Sequence, residues 1–287
     1  MSDLPRPTLG LALSGGTAKS IAHIGVLQAI EEAGLRPDVI AGTSGGSLIA
    51  VVYASGVGTD RMVEMAGRVN WRRLARVRIP RLGLFSNQGV AELVRDTVGD
   101  LTFEDLEIPT HVVTTDLLSG GKAVFSHGPV APAVQASCSI PQIFSPVEIG
   151  DGLYADGGFL EYLPLPTLRD IGCTTMVGVH LGSFADFTPR PGHLLAMIMR
   201  TIGIVAVRNA REAVPLADVL IEPDLRGFHS FDLKRHEELI EVGYRAGTAA
   251  VPHILAALDR RPSPIPWPDR LRTRLLGWWT EARRRTA

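Results

Sequence analysis

The sequence predicts an α/β layered fold in which helices cover a central, largely parallel sheet. Short apolar runs alternate along the chain with longer stretches whose apolar residues recur every three or four positions. The runs are typical of buried strands, and the recurrence is typical of helices that bury one face. Alternation of the two favours parallel strands that are connected by helices. With 287 residues, 45% of them hydrophobic, the chain is long enough to bury a substantial core.

Two strand–loop–helix units open the chain. The predicted elements are a strand at Thr8–Ser14, a loop at Gly15–Ser20, a helix at Ile21–Ala33, a strand at Asp38–Ala41 and a helix at Leu48–Ala54. Isoleucine and leucine recur along one face of the first helix, which indicates that this face is buried. Gly34 and Gly56 follow the two helices, and glycine is common where a helix ends.

The rest of the chain continues the alternation. The predicted strands are His111–Asp116, Ala123–Ser126, Leu153–Ala155, Met176–Leu181 and Asp218–Glu222. The predicted helices are Pro129–Ser139, Pro164–Ile171, a core helix within His193–Val207 and a long amphipathic helix at Asp232–Leu258. The polar, glycine-rich centre of the uncharged stretch Val39–Thr59 argues against a membrane-spanning helix there.

Composition and charge argue against several classes of protein. The formal net charge of −1 provides no general attraction for nucleic acid. Cys138 and Cys173 have no metal-binding spacing, so they predict neither a zinc site nor a disulfide framework and favour a reducing compartment. The first residues lack the apolar segment of a signal peptide. We therefore expect a cytoplasmic protein.

Two basic stretches stand out from this composition. The stretch Arg61–Arg81 contains seven arginines and Trp71, and it is either a mobile cap near a site or a solvated basic helix. Residues 259–287 form a proline-containing linker and a basic amphipathic C-terminal segment with two adjacent tryptophans. Such a segment is typical of peripheral membrane contact, although a helix docked on residues 1–258, the predicted main domain, is the alternative.

A candidate nucleophile lies in the pentapeptide Gly42-Thr43-Ser44-Gly45-Gly46, which matches G-x-S-x-G. Small residues around a serine allow the backbone to make a tight strand-to-helix turn and allow a substrate to approach. The predicted strand before Ser44 and the predicted helix after it fit this context. A helix N-terminus also places partial positive charge near a developing oxyanion.

The base that would activate Ser44 is open at this level. Asp218 followed by His229 or His236 has the chain order of an α/β-hydrolase triad. Asp156, at a predicted strand end before Gly157-Gly158, is the competing base, although Asp-Gly is also a common turn dipeptide.

Three motifs in order resemble those of the patatin-like phospholipases, especially the bacterial relatives of neuropathy-target-esterase-type lysophospholipases. They are the glycine-rich loop Leu13–Ser20, the Ser44 pentapeptide and Asp156-Gly157-Gly158. Further segments that resemble this family lie at Ile21–Leu27, Leu101–Leu106, Ala136–Pro141 and Glu238–Gly243. The resemblance spans about residues 8–258 and implies a three-layer fold with a central, mostly parallel sheet flanked by helices.

The resemblance also implies a mechanism. Ser44 would attack an ester carbonyl of a phospholipid or lysophospholipid, and Asp156 would accept its proton and later activate water. The amides of Gly15, Gly16 and Thr17 would form the oxyanion hole, with Lys19 orienting the loop or adding positive potential. The supporting turn residues are Gly42, Gly46, Gly157 and Gly158. Neither a metal nor an organic cofactor is expected.

The glycine-rich loop departs from the family pattern at two positions. Thr17 and Ser20 replace the second and third glycines of G-x-G-x-x-G. Because threonine is disfavoured at positive φ, a loop that requires positive φ at Thr17 would have a distorted oxyanion hole. A catalytically weak, lipid-binding or regulatory member of the family is therefore an alternative, as is a general carboxylesterase with a triad. A nucleotide-binding protein is a further alternative, although the loop matches neither a dinucleotide-binding fingerprint nor a P-loop.

Overall fold

An eight-stranded sheet forms the centre of the structure, a computed structural model that describes residues 9–77, 82–182, 190–229 and 231–259. A second sheet contains the three short strands Arg76–Val77, Gly83–Ser86 and Gln142–Phe144. The strands are β1 (Leu9–Leu13), β2 (Val39–Thr43), β3 (Arg76–Val77), β4 (Gly83–Ser86), β5 (Thr110–Asp116), β6 (Lys122–Phe125), β7 (Gln142–Phe144), β8 (Val147–Ile149), β9 (Gly152–Asp156), β10 (Thr175–Val179) and β11 (Val219–Ile221).

Helices connect most of these strands. They are α1 (Ala22–Glu32), α2 (Gly45–Ala54), α3 (Thr59–Ala66), α4 (Trp71–Leu74), α5 (Gln88–Val98), α6 (Val130–Ser137), α7 (Leu165–Ile171), α8 (Leu194–Ala213) and α9 (His236–Asp259). A 3-10 helix at Thr17–Ile21 occupies most of the predicted loop and leads directly into α1. Helix α2 begins three residues earlier than predicted, so Ser44 immediately precedes it.

The prediction of a mostly parallel sheet is confirmed for one side of the central sheet. Strands β11, β10, β1, β2 and β5 are neighbours in that order and run parallel. Strands β6 and β9 pair antiparallel with β5, and β8 pairs antiparallel with β9. The turns that connect β5 with β6 and β8 with β9 are short, and short turns allow only antiparallel pairing.

The central sheet is covered on both faces, as the predicted three-layer arrangement requires. Leu9, Leu11 and Leu13 of β1 are buried in the larger core, which includes residues of α1, α2, α6 and α9. Ala12, on the opposite face of β1, is buried in a smaller core with residues of α7 and α8. Alternation of side chains along a strand thus divides the fold into three layers.

Helices α1 and α9 pack with their backbones in direct contact. A Cβ atom at Gly25 would lie 1.9 Å from the carbonyl oxygen of Ile240. A Cβ atom at Gly243 would lie 1.9 Å from the carbonyl oxygen of Ala22. Glycine at both positions therefore allows the two helices to approach this closely.

The structure corrects two predictions and leaves others outside its range. Helix α8 is not purely a core helix, because Leu194, Met197 and Ile204 are at least half exposed. The loop predicted at Gly15–Ser20 is a 3-10 helix from Thr17 onward. Residues 260–287 of the predicted C-terminal segment, and residues 78–81 of the first basic stretch, lie outside the described residues. Within the described ranges, no helix is both long and apolar enough to span a bilayer, and no cluster of three metal-ligating side chains occurs.

Candidate active site

Ser44 lies at the sharp turn between β2 and α2. Its φ of 53° and ψ of −130° are unusual for a residue with a side chain, and backbone strain of this kind is concentrated at functional sites. Its amide donates a hydrogen bond of 2.8 Å to Ser137 Oγ, which in turn donates to the carbonyl oxygen of Val113 at 2.7 Å. Its own carbonyl accepts from Ser47 Oγ at 2.7 Å. Hydrogen bonds on both sides thus hold the strained turn.

The predicted glycines around Ser44 are sterically required. A Cβ atom at Gly42 would lie 2.6 Å from Ser47 Cα, and one at Gly46 would lie 2.3 Å from the carbonyl oxygen of Leu13. Both clashes involve backbone atoms, one in helix α2 and one in strand β1. The turn therefore depends on these two residues.

Asp156, at the end of β9, is in contact with Ser44. Its buried carboxylate accepts a hydrogen bond from the hydroxyl of Ser44 and another, of 2.8 Å, from the amide of Gly158. Burial raises the pKa of this carboxyl from 3.8 to about 6, although the two hydrogen bonds oppose the shift. A Cβ atom at Gly157 would lie 2.4 Å from the carbonyl oxygen of Val113, so this turn also requires glycine.

The sheet register explains how residues 112 positions apart in sequence meet. Strand β5 lies between β2 and β9, and Thr43 pairs with Val113 while Asp156 pairs with Thr114. Ser44 and Asp156 therefore lie at the same level of the sheet, on opposite sides of β5. Strand β9 runs antiparallel to β5, so Asp156 reaches this level from the opposite direction.

The three predicted oxyanion-hole donors of the glycine-rich loop differ, because one amide is hydrogen-bonded within the described residues and two are not. The amide of Gly15 instead donates to the carbonyl oxygen of Tyr162 at 3.1 Å, so it is engaged in holding the loop. Among the described residues, the amides of Gly16 and Thr17 have no protein acceptor. These two amides are therefore the candidate donors for an oxyanion hole.

Thr17 adopts a positive φ, the conformation that is unfavourable for threonine. Its φ is 54°, in the left-handed region, where a side chain costs roughly 1–2 kcal/mol. Ser20, which replaces the third glycine, is buried beside Gly45, where a Cβ atom would lie 2.1 Å from Ser20 Oγ. Both substitutions are thus accommodated, the first with strain and the second because Gly45 leaves space.

A buried histidine supports the start of this loop. His23 Nε2 lies 2.9 Å from the carbonyl oxygen of Ser14, and because a carbonyl only accepts, this nitrogen carries the hydrogen. Desolvation lowers the pKa of His23 to about 4, so the ring is neutral at ordinary pH. On the other side, Ser14 Oγ accepts a hydrogen bond of 3.0 Å from the amide of Leu181.

Two cavities meet at Ser44. The first, here called the apolar cavity, has a volume of about 140 Å³. Its walls include Leu48, Val52, Met62, Trp71 and Leu93. The second, here called the mixed cavity, has a volume of about 420 Å³ and is lined by both apolar and polar side chains. It contains Asp156 together with Lys19, Arg200, His229 and several residues of α8.

The first basic stretch forms part of a cavity wall. Met62, Met65 and Trp71 line the apolar cavity, whereas Arg68 and Arg72 are exposed. The indole of Trp71 donates a hydrogen bond of 2.6 Å to the carbonyl oxygen of Phe231. The described part of this stretch therefore borders the site with its apolar side chains and presents its arginines to solvent.

The residues of the alternative triad are dispersed. Asp218 precedes β11, at the edge of the central sheet, where its carboxylate accepts from the amide of Met176 at 2.8 Å. His229 lines the mixed cavity and His236 begins α9. In the described ranges, no hydrogen bond joins either histidine to Ser44.

Sequence reasoning missed two residues that hold the site, Ser137 and Asn209. Ser137 lies in the segment Ala136–Pro141, which resembles the family, but nothing in this segment indicates that Ser137 binds the amide of Ser44. Asn209 of α8 accepts from the amide of Tyr162 at 2.9 Å and donates to the carbonyl oxygen of Gly158 at 2.8 Å. A single asparagine within a helix gives no sequence signal for such a contact.

The sequence of this chain is similar to the sequences of known proteins. An uncharacterized NTE family protein of Mycobacterium tuberculosis is 36% identical over 178 residues, which cover 61% of this chain and 49% of that protein. Lysophospholipase NTE1 of Saccharomyces cerevisiae is 30% identical over 270 residues, which cover 83% of this chain and 16% of that protein. The chain thus spans about half the length of the mycobacterial relative and a small part of the yeast one.

Among solved structures, the type III effector protein ExoU matches with a TM-score of 0.49 at 15% identity, over 91% of this chain and 56% of that one. VipD from Legionella pneumophila matches with a TM-score of 0.47 at 16% identity, over 89% of this chain and 67% of that one. The sequence model described as patatin-like phospholipase matches residues 11–169, which include Ser44, Asp156 and the glycine-rich loop. This match covers more than half of the chain, which therefore belongs to the patatin-like phospholipase family.

Proposed function

We propose that this protein hydrolyses carboxylic esters of phospholipids or lysophospholipids, with Ser44 as nucleophile and Asp156 as general base. The observation that carries the proposal is the buried contact between the Ser44 hydroxyl and the Asp156 carboxylate at the junction of two cavities. A serine hydroxyl is a poor nucleophile until a neighbouring base accepts its proton. A carboxyl with a pKa raised to about 6 is ionised at neutral pH and is basic enough for this role.

The proposed reaction has two halves. Ser44 Oγ bonds to the ester carbon as its proton moves to Asp156, and the carbonyl oxygen becomes an oxyanion that accepts from the amides of Gly16 and Thr17. The carbon–oxygen bond to the alcohol breaks, and the alcohol takes the proton from Asp156. Water then attacks the acyl group on Ser44, giving one proton to Asp156, which returns it to Ser44 Oγ as the fatty acid leaves. Each preorganised amide donor is worth on the order of 10²–10³ in rate.

The cavities support a lipid substrate. The apolar cavity is lined almost entirely by aliphatic, aromatic and methionine side chains, which suit an acyl chain. The mixed cavity contains Lys19 and Arg200, whose positive charges suit a phosphate group on the departing alcohol. The yeast relative is named as a lysophospholipase, which agrees with a substrate of this class. Peripheral membrane contact through residues 259–287 remains part of the proposal.

The experiment combines active-site labelling with turnover. A fluorophosphonate probe and release of fatty acid from a lysophospholipid are compared for wild type, Ser44→Ala, Asp156→Asn and the control Ser55→Ala, which changes a serine at the end of α2. We expect labelling and turnover to be lost in Ser44→Ala and retained in Ser55→Ala, with turnover strongly reduced in Asp156→Asn. Persistent labelling of Ser44→Ala would exclude Ser44 as the reactive serine. Full turnover by Asp156→Asn would exclude Asp156 as the general base. Loss of turnover in His229→Ala would then favour a histidine base.

A second candidate function is a lipid-binding protein with little catalysis, and the positive φ of Thr17 is the observation that favours it. In this case the wild type would label slowly at Ser44 and bind lipid without turnover. Thr17→Gly, which removes the strain beside the candidate oxyanion hole, would then increase the labelling rate.

A further inference from the structure

Helix α8 has a stripe of exposed apolar side chains that the proposed chemistry does not use. Leu194, Met197 and Ile204 are 76%, 52% and 51% exposed, and Val205 is 36% exposed. With the exposed Thr201, the first three recur at intervals of three and four residues, and Val205 lies four residues after Thr201, so all five share one face of the helix. We call these five residues the α8 stripe. Exposure of several large apolar side chains in one stripe is unfavourable in water and marks an interaction surface.

The α8 stripe adjoins the site. Other residues of α8, among them Met199, Arg200 and Val207, line the mixed cavity, which also contains Ser44 and Asp156. Phe231, another residue of this cavity, is 39% exposed. The helix thus separates the cavity from solvent, with one face turned to each.

Helix α8 is also tied to the base. Asn209 bridges the amide of Tyr162 and the carbonyl oxygen of Gly158, two residues after Asp156. These two hydrogen bonds fix the orientation of the stripe relative to the Ser44–Asp156 pair. A surface that binds the stripe would therefore be held at a defined position relative to the cavity.

The charge on the helix indicates the chemistry of the partner. Along α8, Arg200, Arg208 and Arg211 are opposed by the single acid Glu212. An exposed apolar stripe on a helix with excess arginine fits an anionic lipid surface, where the apolar side chains enter the acyl region and the arginines meet the head groups. A protein partner would have to supply both a groove and acidic groups.

We propose that the α8 stripe is a docking surface for an anionic lipid membrane and that docking directs the mixed cavity toward the lipid. This inference rests on the proposed function, because an enzyme that cleaves lipid esters must meet its substrate at an interface. The α8 stripe shares no residue with the C-terminal segment 259–287.

The test separates docking from chemistry. The full chain carrying Leu194→Gln, Met197→Gln and Ile204→Gln together is compared with wild type and with the control Leu255→Gln, which changes an exposed leucine of α9. Co-sedimentation with vesicles of phosphatidylcholine and phosphatidylglycerol measures docking, and hydrolysis of a soluble short-chain ester measures chemistry. We expect the triple variant to lose vesicle binding about tenfold or more while retaining soluble-ester hydrolysis, and the control to behave as wild type. Ser44→Ala should bind vesicles normally, so failure of the proposed chemistry is distinguishable from failure of docking.

A second measurement does not depend on the triple variant folding. A polarity-sensitive fluorophore attached to Met197→Cys should shift to shorter wavelength when vesicles are added, whereas the same fluorophore on Leu255→Cys should not shift. Unchanged vesicle binding by the triple variant, or an unshifted fluorophore at position 197, would overturn the proposal. A wild-type dimer that the triple variant converts to a monomer, with vesicle binding intact, would assign the stripe to a second copy of the chain instead.

Discussion

The buried carboxyl of Asp156 allows a quantitative prediction for Asp156→Asn. Asparagine has nearly the same shape, and its side-chain oxygen can still accept from the amide of Gly158. The variant therefore removes mainly the charge. Because burial raises the pKa of this carboxyl from 3.8 to about 6, the ionised form is less stable in the folded protein than in the unfolded chain.

The size and sign of the effect follow from this shift. Between pH 3.8 and about 6 the folded state keeps a proton that the unfolded chain loses, so stability falls as the pH rises through this window. A shift of about two pKa units corresponds to about 3 kcal/mol once the pH is above the folded pKa. Asp156→Asn should thus be about 3 kcal/mol more stable than wild type at pH 8 and only about 1 kcal/mol more stable at pH 4.5.

Urea unfolding of both proteins at these two pH values measures the difference. The matched control is Asp151→Asn, which changes an exposed aspartate in the turn between β8 and β9. It should change stability by less than about 0.5 kcal/mol at both pH values. A variant at position 156 that is no more stable than wild type at pH 8, or that gains equally at both pH values, would refute the conclusion that burial penalises this charge.

Four further predictions concern the same site. Soluble-ester turnover should fall about tenfold between pH 7 and pH 5, because the pKa of Asp156 is about 6 and only the ionised carboxylate accepts a proton; initial rates across this range measure it. Thr17→Gly should raise the free energy of unfolding by up to about 1 kcal/mol in thermal denaturation, since glycine adopts positive φ without strain. Asn209→Leu should lose about 2–3 kcal/mol of stability and reduce kcat more than KM, because two polar backbone groups beside Asp156 lose their partner. Val52→Trp, which fills part of the apolar cavity, should shift the preference among p-nitrophenyl esters from palmitate toward butyrate.

Each of these predictions has a contradicting result. A flat rate between pH 7 and pH 5 would exclude Asp156 as the titrating base. Lower stability of Thr17→Gly would mean that the threonine side chain contributes more than its backbone strain removes. Unchanged kcat in Asn209→Leu would separate this residue from the reaction, and an unchanged ester preference in Val52→Trp would place the acyl chain elsewhere.

The local parts of this fold were predictable from sequence, and the non-local parts were not. The turn at Ser44 was predictable because the glycines that it needs lie beside Ser44 in the sequence, although only Gly42 is confined by a close neighbour, Ser47, whereas Gly46 is confined by Leu13 of β1. The engagement of the Gly15 amide is different, because its acceptor belongs to Tyr162, far away in sequence. No pattern near Gly15 predicts which loop will lie against it.

Helix α8 illustrates a similar limit. Its apolar composition correctly predicted a helix, but composition alone cannot distinguish apolar residues that face the core from those that face outward. Leu194 and Met197 look like core residues in the sequence and are exposed in the structure. The antiparallel course of β9 was also not predictable, because a three- to five-residue strand carries too little pattern to fix its direction.

The meeting of two cavities at one serine has a kinetic consequence under the proposed mechanism. An acyl group attached to Ser44 would remain in the apolar cavity, while the released alcohol would leave through the mixed cavity. The vacated space beside Asp156 is open to any small hydroxyl compound, so water would compete there with added alcohols. Methanol or glycerol should therefore divert part of the acyl product into new esters. The ratio of ester to free fatty acid should depend on the dimensions of the mixed cavity rather than on the length of the acyl chain.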